Sequence, residues 1–417
     1  MSLTALFTGS TGLQANSQAL DVVGNNLANL NTTGYKTQRT LFKDLVYQTL
    51  NPGSAPTATT GGTNPAQLGF GVGVGSIDSL FGQGTVTPTG RNLDAAIQGR
   101  GFFVVSNGAA TAYSRAGSFA VDAGGFLIDP NTGYRVQRTG NVGEGSATQP
   151  GFQVPGNNSI RVPFGTGAAG TKTTAVTYQG NLSSTLQVGQ SATTAIQVYD
   201  SQSTPRALSV TFTKTGANTF DASAVISGGT ATLSATQVTF DTAGLLVAPA
   251  ALTLNVTGIP GAANQTITLN LGTPGQATGV TQFGGTSTAT AVTQDGSGFG
   301  TLTDVSFDAS GILQGQFSNG RTIPLAQLAI AGFNNEGGLL RTGNNYFQAS
   351  ASSGEALVGT AGSGGLGSVQ GAALEGANVD ISIEFSRLII AQRGFQVNAR
   401  TITAANETLQ ELANIIR

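Results

Sequence analysis

Apolar residues seven positions apart occur at both ends of this chain, and they constrain its fold more than any other feature. The N-terminal series is Leu6, Leu13, Leu20 and Leu27, and the C-terminal series is Ile381, Leu388, Phe395, Ile402, Leu409 and Ile416. Such spacing places one apolar seam along a helix that must pack against another helix. We therefore predict two helices that bracket everything else in the chain.

Polar residues interrupt both seams, and the first helix has little charge. The interrupting residues are Ser10, Ser17, Asn25, Asn26, Asn398, Asn406 and Asn414. They weaken an isolated helix pair but suit helices that are contacted on several sides. The first helix carries only Asp21 before Lys36, so its free surface would be adhesive. A helix hairpin within one monomer remains the alternative, but the pattern favours packing between subunits through the heptad residues of both ends.

The composition excludes several classes of function. The 417 residues contain no histidine, cysteine or tryptophan. This rules out a Ser-His-Asp triad, a thiol nucleophile, a zinc finger and disulfide bonds. Charged residues make up 9% and the formal net charge is −2, so self-association meets little electrostatic resistance. The 18 basic residues are scattered, which argues against a nucleic-acid partner.

No motif in the chain predicts a catalytic, cofactor-binding or metal-binding site. Residues 165–170 match GxGxxG, but a strand pattern follows and the next acidic residue is Asp200, so we predict a loop there. The acidic residues are spread thinly, and no Ca²⁺-loop pattern occurs. We predict that the protein is not an enzyme. A surface adhesin would share the Thr/Gly-rich β composition but not the paired terminal heptads.

Between the helices, a linker pattern gives way to short alternating strands. Residues 35–76 contain an amphipathic piece and the stretch NPGSAPTATTGGTNP, and Gly34 predicts a C-cap for the first helix. From Ile77 onward the pattern is β, with a Thr/Gly/Ala-rich insert. The predicted fold class is mixed, with all-β outer domains (sandwich- or barrel-like) and an α-helical coiled-coil domain formed by the terminal helices. The predicted domains are 1–34 with 378–417 (helical core), 35–76 (linker), 77–150 with 302–377 (inner β domain) and 151–301 (inserted outer β domain).

Three segments share the pattern apolar-Asp-x-x-Gly-x-Leu, beginning at Val121, Phe240 and Phe307. The Asp opens a type I turn and the Gly takes the left-handed position that follows it. The flanking apolar residues then enter paired strands. Because the intervals are unequal, the pattern predicts three separate hairpins rather than a solenoid.

The chain has no sign of a cleaved secretory signal or a membrane span. Its first basic residue is Lys36, so the N-terminal segment lacks a positive n-region. The longest uncharged stretch, Thr242 to Gln294, is rich in Thr, Asn and Gly and is broken by prolines. We expect neither signal cleavage nor membrane insertion.

Several segments resemble the axial proteins of the bacterial flagellum, the family of rod, hook and hook-associated proteins. The N-terminal match includes STGLQA (10–15) and VGNNLANLNTTGYK (23–36). Internal matches are GRNLD (90–94), IQGRGFF (97–103) and YSRAGSF (113–119), and the C-terminal match extends from EGANVD (375–380) to QRGFQVN (392–398). Together they cover about half of the chain, at both of its ends.

Within this family, the middle of the chain is similar to hook proteins. The similar segments include YQGNL (178–182), QDG (294–296), FSNGRTIP (317–324) and AGFNNEGGL (331–339). The distal rod protein shares the ends of the chain but lacks a large inserted domain, whereas residues 46–76 resemble the longer linker of some rod proteins. The resemblance implies a hook subunit, with a distal rod protein as the alternative.

The resemblance implies that the protein forms a structural polymer and is not a catalyst. A hook subunit would assemble into a flexible tube, a universal joint that transmits motor torque from rod to filament. Its terminal helices would line the central channel, and its β domains would form outer shells. The implied partners are further copies of the chain, the distal rod protein, the hook–filament junction protein, the hook cap protein and the flagellar type III export apparatus. The implied location is the extracellular hook of the flagellum, next to the basal body.

Overall fold

Two long terminal helices pack against each other in the computed structural model, which describes residues 3–145 and 151–415. Helix α1 spans Leu3–Ala28 and helix α2 spans Ile381–Ile415. Asp380 caps α2, because its Oδ1 accepts hydrogen bonds from the N–H groups of Ser382 and Ile383 at 2.8 and 3.0 Å. Neither helix, over its described residues, combines the length and the apolar character needed to cross a membrane.

Gly34 is not the C-cap that the sequence predicts, because α1 ends six residues earlier, at Ala28. Its φ is +70°, and a Cβ added to it would lie 2.6 Å from the carbonyl carbon of Arg115. The turn after α1 therefore packs directly on the backbone of the β region. Glycine is required there both for the left-handed conformation and for the close approach.

The segment predicted as a linker forms a long antiparallel hairpin, here called the arm. Its strands are β1 (Gln38–Asp44), β2 (Tyr47–Asn51), β3 (Ala66–Gly69) and β4 (Val72–Ser79). Strand β1 pairs with β4, β2 pairs with β3, and the Pro/Gly/Thr-rich stretch forms the tip. Since β1 and β4 also contact α1, the connection is a paired element that lies against the helices.

The rest of the described chain is β-structure with intervening turns. Strands β5–β12 are Val86–Pro88, Ala95–Gln98, Phe102–Ser106, Thr111–Ser114, Ala120–Val121, Leu127–Ile128, Arg135–Val136 and Gly167–Ala168. Strands β13–β23 are Ala175–Asn181, Ser191–Tyr199, Pro205–Gly216, Thr219–Ile226, Thr230–Leu233, Gln237–Phe240, Leu246–Ala248, Ala251–Thr257, Gln265–Asn270, Val280–Thr281 and Thr290–Gln294. Strands β24–β32 are Gly300–Phe307, Ile312–Phe317, Thr322–Gln327, Ile330–Gly332, Leu340–Gly343, Tyr346–Gln348, Leu357–Gly359, Ser368–Gly371 and Ala373–Glu375.

One apolar core joins two separate stretches of sequence and defines an inner β region. A nine-stranded sheet has the order β28-β29-β8-β7-β11-β10-β9, with β27 and β30 attached to it, and a four-stranded sheet has the order β12-β24-β25-β26. Ile160, Val162 and Ala168 are buried in this core. The Val162 N–H donates to the Gly125 carbonyl at 2.7 Å, which holds residues beyond position 150 on the inner region.

A second core lies between two sheets and forms a β-sandwich from the inserted sequence. The sheets have the orders β17-β20-β21-β13-β22, with β23 beside β13, and β14-β15-β16-β18-β19. Alternation along the strands supplies this core: in β20, Leu252, Leu254 and Val256 are buried while the intervening Thr253 and Asn255 face outward. The predicted mixture of β domains with a terminal helix pair is confirmed.

The three predicted hairpin turns are confirmed. The Asp side chains accept hydrogen bonds from the N–H four residues on, with Asp122 to Phe126 at 2.7 Å, Asp241 to Leu245 at 2.8 Å and Asp308 to Ile312 at 2.9 Å. The following glycines have φ between +72° and +80°, and each turn joins two paired strands. The GxGxxG stretch, predicted as a loop, contains the two-residue strand β12, which pairs with β24.

Tyr178 offers a test of the outer core. Its side chain is fully buried, its hydroxyl has no hydrogen-bond partner among the described residues, and burial raises its pKa. Tyr178→Phe should therefore leave the free energy of unfolding unchanged or raise it by up to about 1 kcal/mol. Tyr346 is the control: its hydroxyl donates to Asp129 Oδ2 at 2.7 Å, so Tyr346→Phe should cost about 1–3 kcal/mol. Urea titrations followed by circular dichroism measure both, and an equal loss in the two variants would contradict the assignment.

Candidate subunit-packing surface and its anchoring joint

Most of the predicted contact residues lie along the helix pair in half-buried positions. These are Leu6, Leu13, Leu20 and Leu27 on α1 and Leu388, Phe395, Ile402 and Leu409 on α2. Ile381 is instead 46% exposed at the start of α2, and Ile416 lies outside the described residues. Half-burial leaves part of each apolar side chain available for contact with another molecule.

Apart from Val22 and Val23, the buried residues along the pair are small or polar, and heptad counting does not identify them. On α1 they include Gly9, Gly12, Ala15 and Asn26, and on α2 they are Glu384, Ala391 and Ala405. A Cβ added to Gly9 would lie 2.9 Å from Ile402 Cγ1, so the two backbones approach closely. In the sequence, the spacing of Gly9 and Gly12 and the positions of the alanines were the features that could have indicated this close approach.

A stripe of large apolar residues on α2 is exposed. It consists of Ile381, Ile383, Phe385, Ile389, Ile390 and Val397, with exposed fractions from 46% to 69%. Several large apolar side chains exposed on one helix mark an interaction site, because leaving them in water costs free energy that burial would recover. We call it the α2 stripe.

The arm presents a second uncharged apolar surface. Val46 is 76% exposed, and Tyr47, Leu50 and Leu68 are exposed beside it. No charged residue occurs between Asp44 and Asp78. The absence of charge over this length means that no ionic group opposes burial of the arm against another surface.

A buried ionic cluster anchors the helices and the arm to the inner β region. Lys36 Nζ lies 2.6 Å from Glu375 Oε1, and Arg115 Nη1 lies 3.2 Å from Glu375 Oε2. All three side chains are at most 1% exposed. The Gly84 N–H donates to Glu375 Oε1 at 2.8 Å, and the Gly34 N–H donates to the Glu375 carbonyl at the same distance. We call these groups the ionic joint.

The charges of the ionic joint are stable only as a set. Burial lowers the pKa of the Lys36 ammonium and of the Arg115 guanidinium, and the Glu375 carboxylate opposes both shifts. Two further donors are satisfied by backbone, since Lys36 Nζ bonds the Gly82 carbonyl and Arg115 Nη2 bonds the Gly99 carbonyl, each at 2.8 Å. Arg115 Nε has no hydrogen-bond partner among the described residues. Such backbone hydrogen bonds help a buried ion pair to be tolerated.

Asn26 forms a second node, where α1, α2 and the arm meet. Its Nδ2 donates to the Gln38 carbonyl at 2.7 Å and to Glu384 Oε2 at 3.0 Å. Its Oδ1 accepts from the Gln38 N–H and from the Tyr35 hydroxyl. Asn26 is fully buried, so its amide ties the end of α1 to the start of α2 and to β1.

The ionic joint brings together three segments that are far apart in sequence. Lys36 ends the N-terminal segment NTTGYK, Arg115 lies in YSRAGSF, and Glu375 begins EGANVD. Each segment belongs to the resemblance described above, but nothing in the sequence pairs one with another. Over the described residues, no group of three or more acidic side chains is arranged to hold a metal ion, and the site is one of packing and anchoring.

Four family models match this architecture in chain order. They are "Flagella basal body rod protein" at residues 6–36, "Flagellar hook protein FlgE/F/G D1 domain" at 96–184, "Flagellar basal body protein FlaE D2 domain" at 171–297 and "Flagellar basal body rod FlgEFG protein C-terminal" at 370–415. The first and last cover most of α1 and α2, and the two middle models cover parts of the β regions.

Full-length relatives decide the family. The flagellar hook protein FlgE of Escherichia coli is 35% identical over 422 residues, which cover 97% of this chain and 98% of that protein. FlgE of Borreliella burgdorferi is 34% identical over 446 residues, which cover 99% of each. This chain belongs to the flagellar hook protein family. It is a structural hook subunit of the flagellum and not an enzyme, as the sequence predicts.

The distal rod alternative is the more distant match. The basal-body rod protein FlgG of Bacillus subtilis is 28% identical over 416 residues. As a hook protein, this chain polymerises with copies of itself and associates with other flagellar components. A crystal structure of a Helicobacter pylori flagellar hook protein aligns with 68% of this chain at 15% identity, with a TM-score of 0.47.

Removing the carboxylate of the ionic joint should be strongly destabilising. Glu375→Gln leaves Lys36 and Arg115 buried without their counter-charge, so we expect a loss of about 3–5 kcal/mol in the free energy of unfolding. Asp78→Asn is the control, since its pair with Arg39 is 3.7 Å long and partly exposed, and it should change that free energy by less than about 0.5 kcal/mol. Urea unfolding followed by circular dichroism measures both variants. Equal effects would contradict the role of the buried cluster.

Proposed function

We propose that the α1–α2 pair is the surface through which the hook subunit packs into its polymer. The observation that carries this proposal is the α2 stripe, where six large apolar residues remain in water on a helix that already has one partner. Burial of this stripe against neighbouring copies supplies the driving force for assembly. The half-buried heptad residues, from Leu6 to Leu409, contribute the flanks of the same contact.

The arm adds a second contact in this proposal. Its exposed apolar residues and the lack of charge between Asp44 and Asp78 suit burial against another subunit. The helices, the turn at Gly34 and the arm are tied together at Asn26 and at the ionic joint. In the assembled polymer they therefore form one unit.

For the domain organisation, we propose a helical domain of residues 3–34 with 378–415, the arm, an inner β domain and an outer β domain of residues 171–297. The connection between the two β domains is rich in glycine, and the charged residues Lys172 and Asp295 lie at its edge. It is held by weak hydrogen bonds, such as Thr171 N–H to Ser297 Oγ at 3.1 Å and Asn319 Nδ2 to the Gly298 carbonyl at 2.8 Å. Such bonds contribute about 1 kcal/mol each. We propose that bending of the hook uses this connection, while the ionic joint stays rigid.

The specific partners of the subunit also remain proposals. We propose contacts with the distal rod protein, the hook–filament junction protein and the hook cap protein, and export through the flagellar type III apparatus without signal cleavage. The support is the membership of the hook family. In this scheme the subunit acts in a flexible tube that transmits torque as a universal joint.

Deletion of residues 381–417 should abolish assembly without unfolding the β domains. The helix pair is joined to the inner β domain at the ionic joint, whereas both apolar cores lie within the β domains. Sedimentation and electron microscopy measure tube formation, and thermal unfolding of the truncated protein measures the β domains. Tubes of hook diameter formed by a variant that lacks both ends would contradict the proposed function.

The same packing surface predicts that the termini are largely unfolded in the dilute monomer, because their seams are interrupted by polar residues and the α2 stripe has no partner there. Hydrogen exchange of the monomer measures this directly. Fully protected amides throughout α1 and α2 at micromolar concentration would count against it.

Point substitutions in the α2 stripe should act on assembly alone. Ile389→Ser with Ile390→Ser removes exposed apolar surface, so we expect the critical concentration for tube formation to rise at least about tenfold, equivalent to about 1.4 kcal/mol per subunit. Val188→Ser on the outer domain is the control, since Val188 is equally exposed but lies outside the helix pair. An equal effect of the two changes would contradict the assignment of the surface.

A further inference from the structure

Two asparagines and two glycines form a reciprocal contact between α1 and α2. A Cβ added to Gly12 would lie 2.5 Å from Asn398 Oδ1, and a Cβ added to Gly394 would lie 2.4 Å from Asn16 Oδ1. Each asparagine of one helix therefore packs on the bare backbone of a glycine on the other. The contact has an approximate two-fold symmetry, because the same pair of residue types occurs in both directions.

Each asparagine is also held in place by its own helix. Asn16 Nδ2 donates to the Gly12 carbonyl at 2.7 Å, and Asn398 Nδ2 donates to the Gly394 carbonyl at 2.8 Å. Both bonds reach back four residues, so each amide lies along its helix over the preceding turn. The amides are therefore presented to the partner helix in one orientation, with their polar donors satisfied.

The apolar heptads cannot by themselves determine how the helices align. Because both series repeat every seven residues, sliding one helix by seven residues again places apolar residues opposite apolar residues. In the structure Gly9 faces Ile402. After a slide of one heptad it would face Phe395 or Leu409, which are also apolar. The seam therefore allows several alignments of similar apolar content.

The asparagine–glycine contacts do not repeat in this way. After a slide of one heptad, Asn16 would face Arg387 or Thr401 in place of Gly394. Asn398 would then face Ala5 or Ala19 in place of Gly12. Each alternative puts a side chain in the space that the amide occupies, so the close approach of the backbones is lost.

We propose that Asn16 and Asn398, each packed on a glycine of the opposite helix, determine the register of the α1–α2 pair and thereby position the α2 stripe for neighbouring subunits. A single polar residue in an apolar seam can select one alignment at some cost in stability. Here the polar interruptions that weaken the seam provide its specificity. The inference rests on the proposed role of the helix pair in assembly, but the register itself is a property within one chain.

Disulfide reporters measure the register directly, because the chain contains no cysteine of its own. The native reporter is Gly9→Cys with Ile402→Cys. Two slipped reporters combine Gly9→Cys with either Phe395→Cys or Leu409→Cys, and both carry Ile402→Ala so that the new Cβ has room. Full-length protein is oxidised under assembly conditions, and non-reducing electrophoresis with peptide mapping separates cross-links within a chain from those between chains.

With both asparagines present, the native reporter should form at least about fivefold more intrachain disulfide than either slipped reporter. With Asn16→Ala and Asn398→Ala, we expect this ratio to fall below about twofold, since beyond the Asn26–Glu384 contact only the heptads then align the helices, and they permit slipped alignments. Asn406→Ala with Asn414→Ala is the matched control, because both side chains are exposed on α2, and it should keep the original ratio. An unchanged ratio after loss of Asn16 and Asn398 would overturn the proposal, as would slipped cross-links in the unaltered background.

A rescue experiment tests the same contacts in case the asparagine variants lose helix pairing altogether. Gly12→Ala alone should reduce the native cross-link at least about threefold, because the new methyl group overlaps the Asn398 amide. Adding Asn398→Ala should restore it, whereas adding Asn16→Ala should not, since Asn16 packs on Gly394. Equal rescue by both would overturn the pairing. Tube formation in the same samples tests the assembly surface separately. If chains with slipped helices still form tubes, this contradicts the proposal that the register positions the α2 stripe, but not the role of the asparagines in setting the register.

Discussion

The carboxylate of Glu375 is where the rest of the structure converges. It forms ion pairs with Lys36, from the segment after α1, and with Arg115, from the inner β region, and it accepts a hydrogen bond from the Gly84 N–H. The backbone carbonyl of Glu375 accepts a hydrogen bond from the Gly34 N–H. A buried charge is stable only when its partners are present, so these segments must arrive together. The two helices, the arm and the inner β domain consequently have one relative arrangement.

The two junctions of the subunit differ in their chemistry. The inner junction uses buried charges and the Asn26 amide, whereas the junction between the β domains uses glycine backbone and neutral hydrogen bonds. The few charged residues are therefore distributed unevenly between these regions. The arm has no charged residue between Asp44 and Asp78, whereas at the inner junction the few charges present are concentrated and paired. A subunit that must both transmit force and deform requires this contrast.

Features that depend on neighbours in sequence were predictable. The helix at each end follows from heptad spacing, and the Asp–Gly turns at Asp122, Asp241 and Asp308 follow from local hydrogen bonding. The prediction that Gly34 caps α1 is wrong, because Gly34 packs on the backbone of Arg115, some 80 residues away in the chain. The Pro, Gly and Thr at the tip of the arm predict a linker, but the strands on both sides of the tip pair with each other.

The helical ends, the β middle, the absence of histidine and cysteine chemistry and the resemblance to flagellar axial proteins can all be predicted from the sequence, because periodicity, composition and motifs are properties of a linear chain. Which residues meet depends on the folded structure. It joined Lys36, Arg115 and Glu375, set Asn16 and Asn398 on glycines of the opposite helix, and left the α2 stripe exposed. The physical reason is that burial and pairing are relations between distant segments, and a repeating apolar seam is compatible with more than one of them.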